Sequence, residues 1–71
     1  MAQGLRKRSF TLAGHRTSIA LEAEFWTVLE AEAREAGMSL AGFIAAIDAA
    51  REDRPLASAL RLRALAAAQN L

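Results

Sequence analysis

Apolar and polar side chains alternate from Arg16 to Leu21, with Thr17, Ile19 and Leu21 on one side and Arg16, Ser18 and Ala20 on the other. A period of two over a β-branched run predicts a half-buried strand over 16–21. One strand cannot satisfy its own backbone N–H and C=O groups, so it needs a partner. The chain offers two: the segment before Ala13-Gly14, or the same strand of a second copy. Ser9-Phe10-Thr11-Leu12 also alternates, and the two residues that separate it from His15 are the spacing of a tight hairpin. Pairing across that turn sets Leu12 opposite His15, Thr11 opposite Arg16 and Phe10 opposite Thr17. Phe10 and Leu12 then share the buried side with Ile19 and Leu21. Alanine is a poorer first turn residue than Asn or Asp, so both partners stay open.

From Glu22 the period becomes helical. Phe25, Val28, Leu29, Ala33 and Ala36 form one apolar stripe, with Trp26 at its edge, and predict a helix over 22–36. Glu22 and Glu24 suit the positive end of that helix. Gly37 stops it, and Ser39 caps a second helix over 39–53 whose stripe is Leu40, Phe43, Ile44, Ile47 and Ala50. Gly42 inside this helix costs about 1 kcal/mol relative to alanine and suits close helix approach at a dimer seam. Asp48 and Arg51 are spaced to pair on the surface. Pro55 opens a third helix over 55–68, marked by Leu56, Ala59, Leu60, Arg63, Ala64 and Ala67 and expected to fray after Ala68. The chain therefore divides into a flexible basic arm (1–8), a strand–helix–helix core (9–53) and a C-terminal helix (55–68). Met1 to Gly4 is expected to be disordered.

Seventy-one residues make one small domain. A domain of this size is marginal alone and recovers stability from disulfides, metals or oligomerisation. There is no cysteine and only one histidine, so no disulfide and no metal cage is expected and oligomerisation remains. No apolar run approaches the ~20 residues that cross a bilayer, and the first residues lack a signal-peptide core. Neither a membrane partner nor a location outside the cytoplasm is expected.

The net charge of +1 hides a strong asymmetry. Residues 1–21 carry Arg6, Lys7, Arg8 and Arg16 and no acid, a charge of +4. Residues 22–53 carry eight acids against Arg34 and Arg51, a charge of −6, and Arg54, Arg61 and Arg63 add +3 at the end. A basic end beside an acidic middle suits either a polyanion partner or a solubilising tail. The carboxylates are scattered along a solvated helix face, with no acid–base pair in a cleft. His15 has only nearby serines for company, far from a catalytic triad, and no glycine loop for phosphate is present. The chain is not expected to be an enzyme or to hold a cofactor.

Strand, helix, Gly-x-Ser turn and helix together resemble the ribbon-helix-helix superfamily of Arc/MetJ-type repressors. The resemblance is carried by Thr17-Ser18-Ile19-Ala20-Leu21-Glu22, Phe25-Trp26, Gly37-Met38-Ser39 and Phe43-Ile44. The chain also resembles a bacterial subfamily of short ribbon-helix-helix proteins, through Gly14-His15-Arg16-Thr17-Ser18 and the late Ser58-Ala59-Leu60-Arg61. The resemblance covers about residues 9–65. It implies a mainly α fold with a short β-ribbon: a ribbon-helix-helix homodimer, joined through strand 16–21 and the helices, with an added C-terminal helix and room for an N-terminal β-hairpin.

In that family the ribbon enters the DNA major groove, which is about 12 Å wide and admits it. Carried over by position, Arg16, Ser18 and Ala20 face the bases. Arg16 can contact guanine with two hydrogen bonds, and Ser18 can bond to several bases. Ala20 stands where the family has a polar or basic residue and can touch only a thymine methyl. Ser39 and Leu40 would hold a phosphate with the free N–H groups of the second helix. Arg6, Lys7 and Arg8 would add phosphate contacts.

Two functions are therefore expected. The first is a dimeric, sequence-specific DNA-binding protein, a transcriptional repressor that inserts a β-ribbon in the major groove of double-stranded DNA. The alternative is a dimeric protein–protein interaction module, antitoxin-like or an adaptor, on the same fold with little DNA readout.

Overall fold

The computed structural model of the chain describes residues 4–69, so the disorder expected of Met1 to Gly4 lies, apart from Gly4, outside the described residues. The elements in order are β1 (Arg6–Leu12), β2 (His15–Leu21), α1 (Ala23–Glu35), α2 (Leu40–Ala50) and α3 (Leu56–Gln69). The two strands form an antiparallel hairpin, so the chain itself supplies β2 with one partner. The register is the one expected from the turn, with Leu12 opposite His15, Thr11 opposite Arg16 and Phe10 opposite Thr17. Ala13 and Gly14 both take positive φ, +52° and +82°. Two left-handed central residues make a turn whose twist matches that of the strands it joins.

Pairing does not stop at Ser9. It continues through Arg8 opposite Ile19 and Lys7 opposite Ala20 to Arg6 opposite Leu21. The basic stretch is thus the first half of a strand and not a flexible arm. Backbone hydrogen bonding to β2 and a side-chain anchor from α1, described below, hold it there.

Glu22 caps α1 with extended backbone, and its carbonyl accepts from the N–H groups of Phe25 and Trp26. The buried positions of α1 are Trp26, Leu29 and Ala33. The stripe is therefore turned from the expected one: Trp26 is central, Phe25 is half-buried and Ala36 is exposed. The sheet brings about this rotation, because a large ring at 26 fills the space under β1 that the first strand creates. Gly37 ends α1 with φ +70°. Its N–H bonds the Arg34 carbonyl and the Met38 N–H bonds the Ala33 carbonyl, which satisfies two of the open acceptors at the end of the helix.

Ser39 caps α2 as expected, its Oγ accepting from the Gly42 N–H at 3.0 Å. A side chain on Gly42 would meet that same Oγ at 3.1 Å, so within this chain the glycine makes room for the cap. The helix ends at Ala50, three residues before the expected boundary. Glu52 adopts φ +57°, and the Arg51 guanidinium reaches both Asp48 (2.7 Å) and the Arg54 carbonyl (2.7 Å), folding the link toward Pro55.

One face of the hairpin packs on the helices. Leu21 of β2, Leu29 of α1, Ile44 of α2 and Leu60 of α3 are fully enclosed, one from the second strand and one from each helix. Burying a side chain of this size contributes about 1.5–3 kcal/mol. Leu12, Ile19, Trp26, Ala33, Phe43 and Ala64 complete the cluster. The third helix is therefore integral to the core. Arg61 reinforces it by bonding Glu22 at 3.0 Å, and Arg63 by bonding Glu32 at 2.9 Å while stacking over the Phe43 ring. No described helix is long and apolar enough to cross a membrane.

Candidate nucleic-acid interface

Cross-strand partners share a face, and successive residues alternate between faces. The inner face carries Phe10, Leu12, Ile19 and Leu21 against the helices. The outer face therefore carries Lys7, Ser9 and Thr11 from β1 beside Ala20, Ser18 and Arg16 from β2. All but the half-buried Ala20 are exposed. The face holds two cations and three hydroxyls and no carboxylate, because every acid of the chain lies at residue 22 or later. The three residues expected to meet bases, Arg16, Ser18 and Ala20, do share this surface. Ser18 is joined to Ser9 through a 3.0 Å bond between their hydroxyls.

The same register separates the three basic residues that the sequence places side by side. Lys7 stands on the outer face, directly opposite Ala20. Arg6 and Arg8 stand on the other face. Arg8 is paired with Glu30 at 2.7 Å and lies 5.2 Å from the centre of the Trp26 ring. The indole N–H of Trp26 donates to the Arg6 carbonyl at 2.8 Å and pins the start of β1. This division is not visible in the residue order, because Arg6–Arg8 shows no alternation of its own; it follows from the hairpin register.

The two outer edges of the sheet differ. In an antiparallel ladder, paired residues alternate between hydrogen-bonded and non-bonded pairs, and the pair that closes a two-residue turn is bonded. Leu12 and His15 are that pair, so Arg16, Ser18 and Ala20 direct their backbone N–H and C=O groups toward the open edge of β2. From Thr17 to Leu21 this strand is uncharged. The open edge of β1 instead carries the Arg6-Lys7-Arg8 run, and charged side chains deter strand pairing. The edge of β2 is thus the one suited to a second strand.

Ser39 and Leu40 lie at the start of α2, where Ser39 uses its hydroxyl for the cap and Leu40 is half-buried. The first turn of this helix carries no acid, so its positive end is not neutralised from within. His15 is exposed beside the turn.

Compared with the models of known protein families, the chain matches the ribbon-helix-helix domain over residues 5–68. Comparisons with curated proteins and with solved structures gave no match. The matched span starts just before β1 and runs to the last turn of α3, so hairpin and third helix both lie within the domain. Strand, helix, glycine–serine joint and helix stand in the order that the motif requires, and the chain belongs to the ribbon-helix-helix domain family.

Proposed function

We propose that two copies of this chain pair through the open edge of β2 and bind double-stranded DNA with the outer face of the joined sheet, as a regulator that represses transcription. The observation that carries this reading is the outer face itself: Arg16 and Ser18 of β2 and Lys7 of β1 are exposed on one surface without acids. Ribbon-helix-helix domains are typically DNA-binding transcription regulators or antitoxins, which agrees with it. The backbone of Arg16, Ser18 and Ala20 supplies the ladder to the second copy, while their side chains meet the bases. Ser39 and Leu40, at the unneutralised start of α2, hold a phosphate with backbone N–H groups. Lys7, the cation of the basic stretch that stands on this face, adds contacts to the DNA backbone.

A second reading has its own support. Leu62 and Leu65 are 45% and 48% exposed on α3, one turn apart, on the side away from Leu60 and Ala64. This suits an adaptor or antitoxin-like protein that docks a partner through its last helix.

The deciding experiment is a fluorescence anisotropy titration of the protein with random-sequence duplex at two salt concentrations, alongside its solution mass. The DNA-binding reading expects a dimer whose affinity falls steeply with salt, because each neutralised phosphate releases counterions. A dimer that ignores duplex at low salt would favour the protein-partner reading. A monomer would overturn the pairing through β2.

A further inference from the structure

The hairpin changes what a joined sheet can do on DNA. Two chains paired through β2 form a sheet of four strands in the order β1-β2-β2-β1. Strands lie about 4.8 Å apart, so the sheet is about 14 Å across and each β1 runs about 7 Å from its centre. The major groove is about 12 Å wide, which puts its walls about 6 Å from the centre line. A sheet laid along the groove therefore holds its two inner strands over the bases and its two outer strands over the phosphate walls.

The outer face of β1 fits that position. It presents Lys7, Ser9 and Thr11, one cation and two hydroxyls, all side chains that bond phosphate oxygens. Of the three neighbouring cations only Lys7 points this way, since alternation along β1 puts Arg6 and Arg8 on the opposite face, where Arg8 meets Glu30 and Trp26. The residue across from Lys7 is Ala20, too small to cover it. The start of the strand is held by the Trp26–Arg6 bond, so Lys7 extends from a fixed backbone. We infer that β1 is a phosphate rail: Lys7, with Ser9 and Thr11, grips the DNA backbone along each wall of the groove, while Arg16 of β2 reads the bases between.

This inference rests on the DNA-binding reading, and its test separates the two. A preferred duplex is selected from a random 20-base-pair pool, and binding is titrated against salt on that duplex, on a shuffled one and on the pool itself. Lys7→Ala is expected to lose affinity by the same factor on all three. Its plot of log affinity against log salt is expected to be shallower by about 2, one phosphate from each protomer. Lys7→Arg should keep the slope of the parent. Arg16→Ala should lose more on the selected duplex than on the shuffled one. If Lys7→Ala leaves the slope unchanged, or loses affinity on the selected duplex alone, the rail is overturned while the DNA-binding reading stands. If the parent itself binds none of the duplexes, both fall. Titration on the unselected pool keeps the rail testable even if no preferred duplex emerges.

Discussion

The indole Nε1–H of Trp26 donates a 2.8 Å hydrogen bond to the backbone carbonyl of Arg6, twenty residues earlier. Trp26 is only 3% exposed, and its ring lies 5.9 Å from that of Phe10 and beneath the guanidinium of Arg8. A single side chain of α1 thus meets three residues of β1. Replacing Trp26 with Phe keeps a ring but leaves the Arg6 carbonyl without this donor. A lost hydrogen bond of this kind costs about 0.5–1.5 kcal/mol, and the smaller ring adds a packing loss. Urea denaturation should report the loss, and amide exchange should quicken selectively at the start of β1. Exchange as slow as in the parent would mean that strand pairing alone holds that end.

Ala13 occupies the left-handed region at φ +52°, where a Cβ is penalised by about 1–2 kcal/mol. Glycine avoids that penalty but is more flexible in the unfolded chain, which returns part of the gain. Ala13→Gly is therefore expected to stabilise by roughly 0.5–1 kcal/mol, a rise of several degrees in melting temperature. Ala13→Asn should act in the same direction, since asparagine tolerates this region. A lower melting temperature for both variants would show that the turn has a different geometry in solution.

Glu22 joins the start of α1 to α3 by accepting from Arg61 Nε at 3.0 Å and Arg61 Nη2 at 3.4 Å. The hydrogen bond from Arg61 lowers its pKa below the ordinary 4.5, helped by a backbone N–H and by the guanidinium charge. A carboxyl depressed by folding stabilises the folded state above its unfolded pKa, and that contribution disappears as pH falls through the folded value. Stability of the parent should therefore decline below about pH 4.5 more steeply than that of Glu22→Gln. Urea midpoints measured at intervals between neutral and acidic pH test this. Parallel curves for the two proteins would mean that the pair contributes nothing in solution.

Arg16 is the longest outward side chain of β2 and stands opposite Thr11. Under the DNA-binding function, Arg16→Ala should weaken binding to a preferred duplex by about 1–3 kcal/mol and relax preference at the base it contacts. Competition between the preferred duplex and variants changed at single positions reads both effects. A variant that discriminates as well as the parent would remove Arg16 from the readout.

The element order was legible along the chain because each element has a local cause. Alternation from Arg16 to Leu21 makes a strand whatever its partner. Gly37 and Ser39 end one helix and begin the next through their own backbone and hydroxyl chemistry, and both do so here. The turn at Ala13-Gly14 sets the hairpin register by its length alone, and Asp48 reaches Arg51 by helical spacing. The outward trio Arg16, Ser18 and Ala20 also follows from alternation.

Tertiary structure decided what depends on meetings between distant residues. The basic stretch Arg6–Arg8 carries no period, so only pairing with Ile19, Ala20 and Leu21 could make it a strand and set Lys7 apart from its neighbours. Trp26 looks marginal on a helical wheel, and its central place exists only because β1 lies over it. Arg61 and Arg63 have no acid within their own helix to pair with, and only the packing of α3 on α1 brings Glu22 and Glu32 to them. Short-range pattern fixes which side of a strand or helix a residue occupies. What that side faces is set by hydrogen bonds and packing between segments tens of residues apart, and no local pattern contains them.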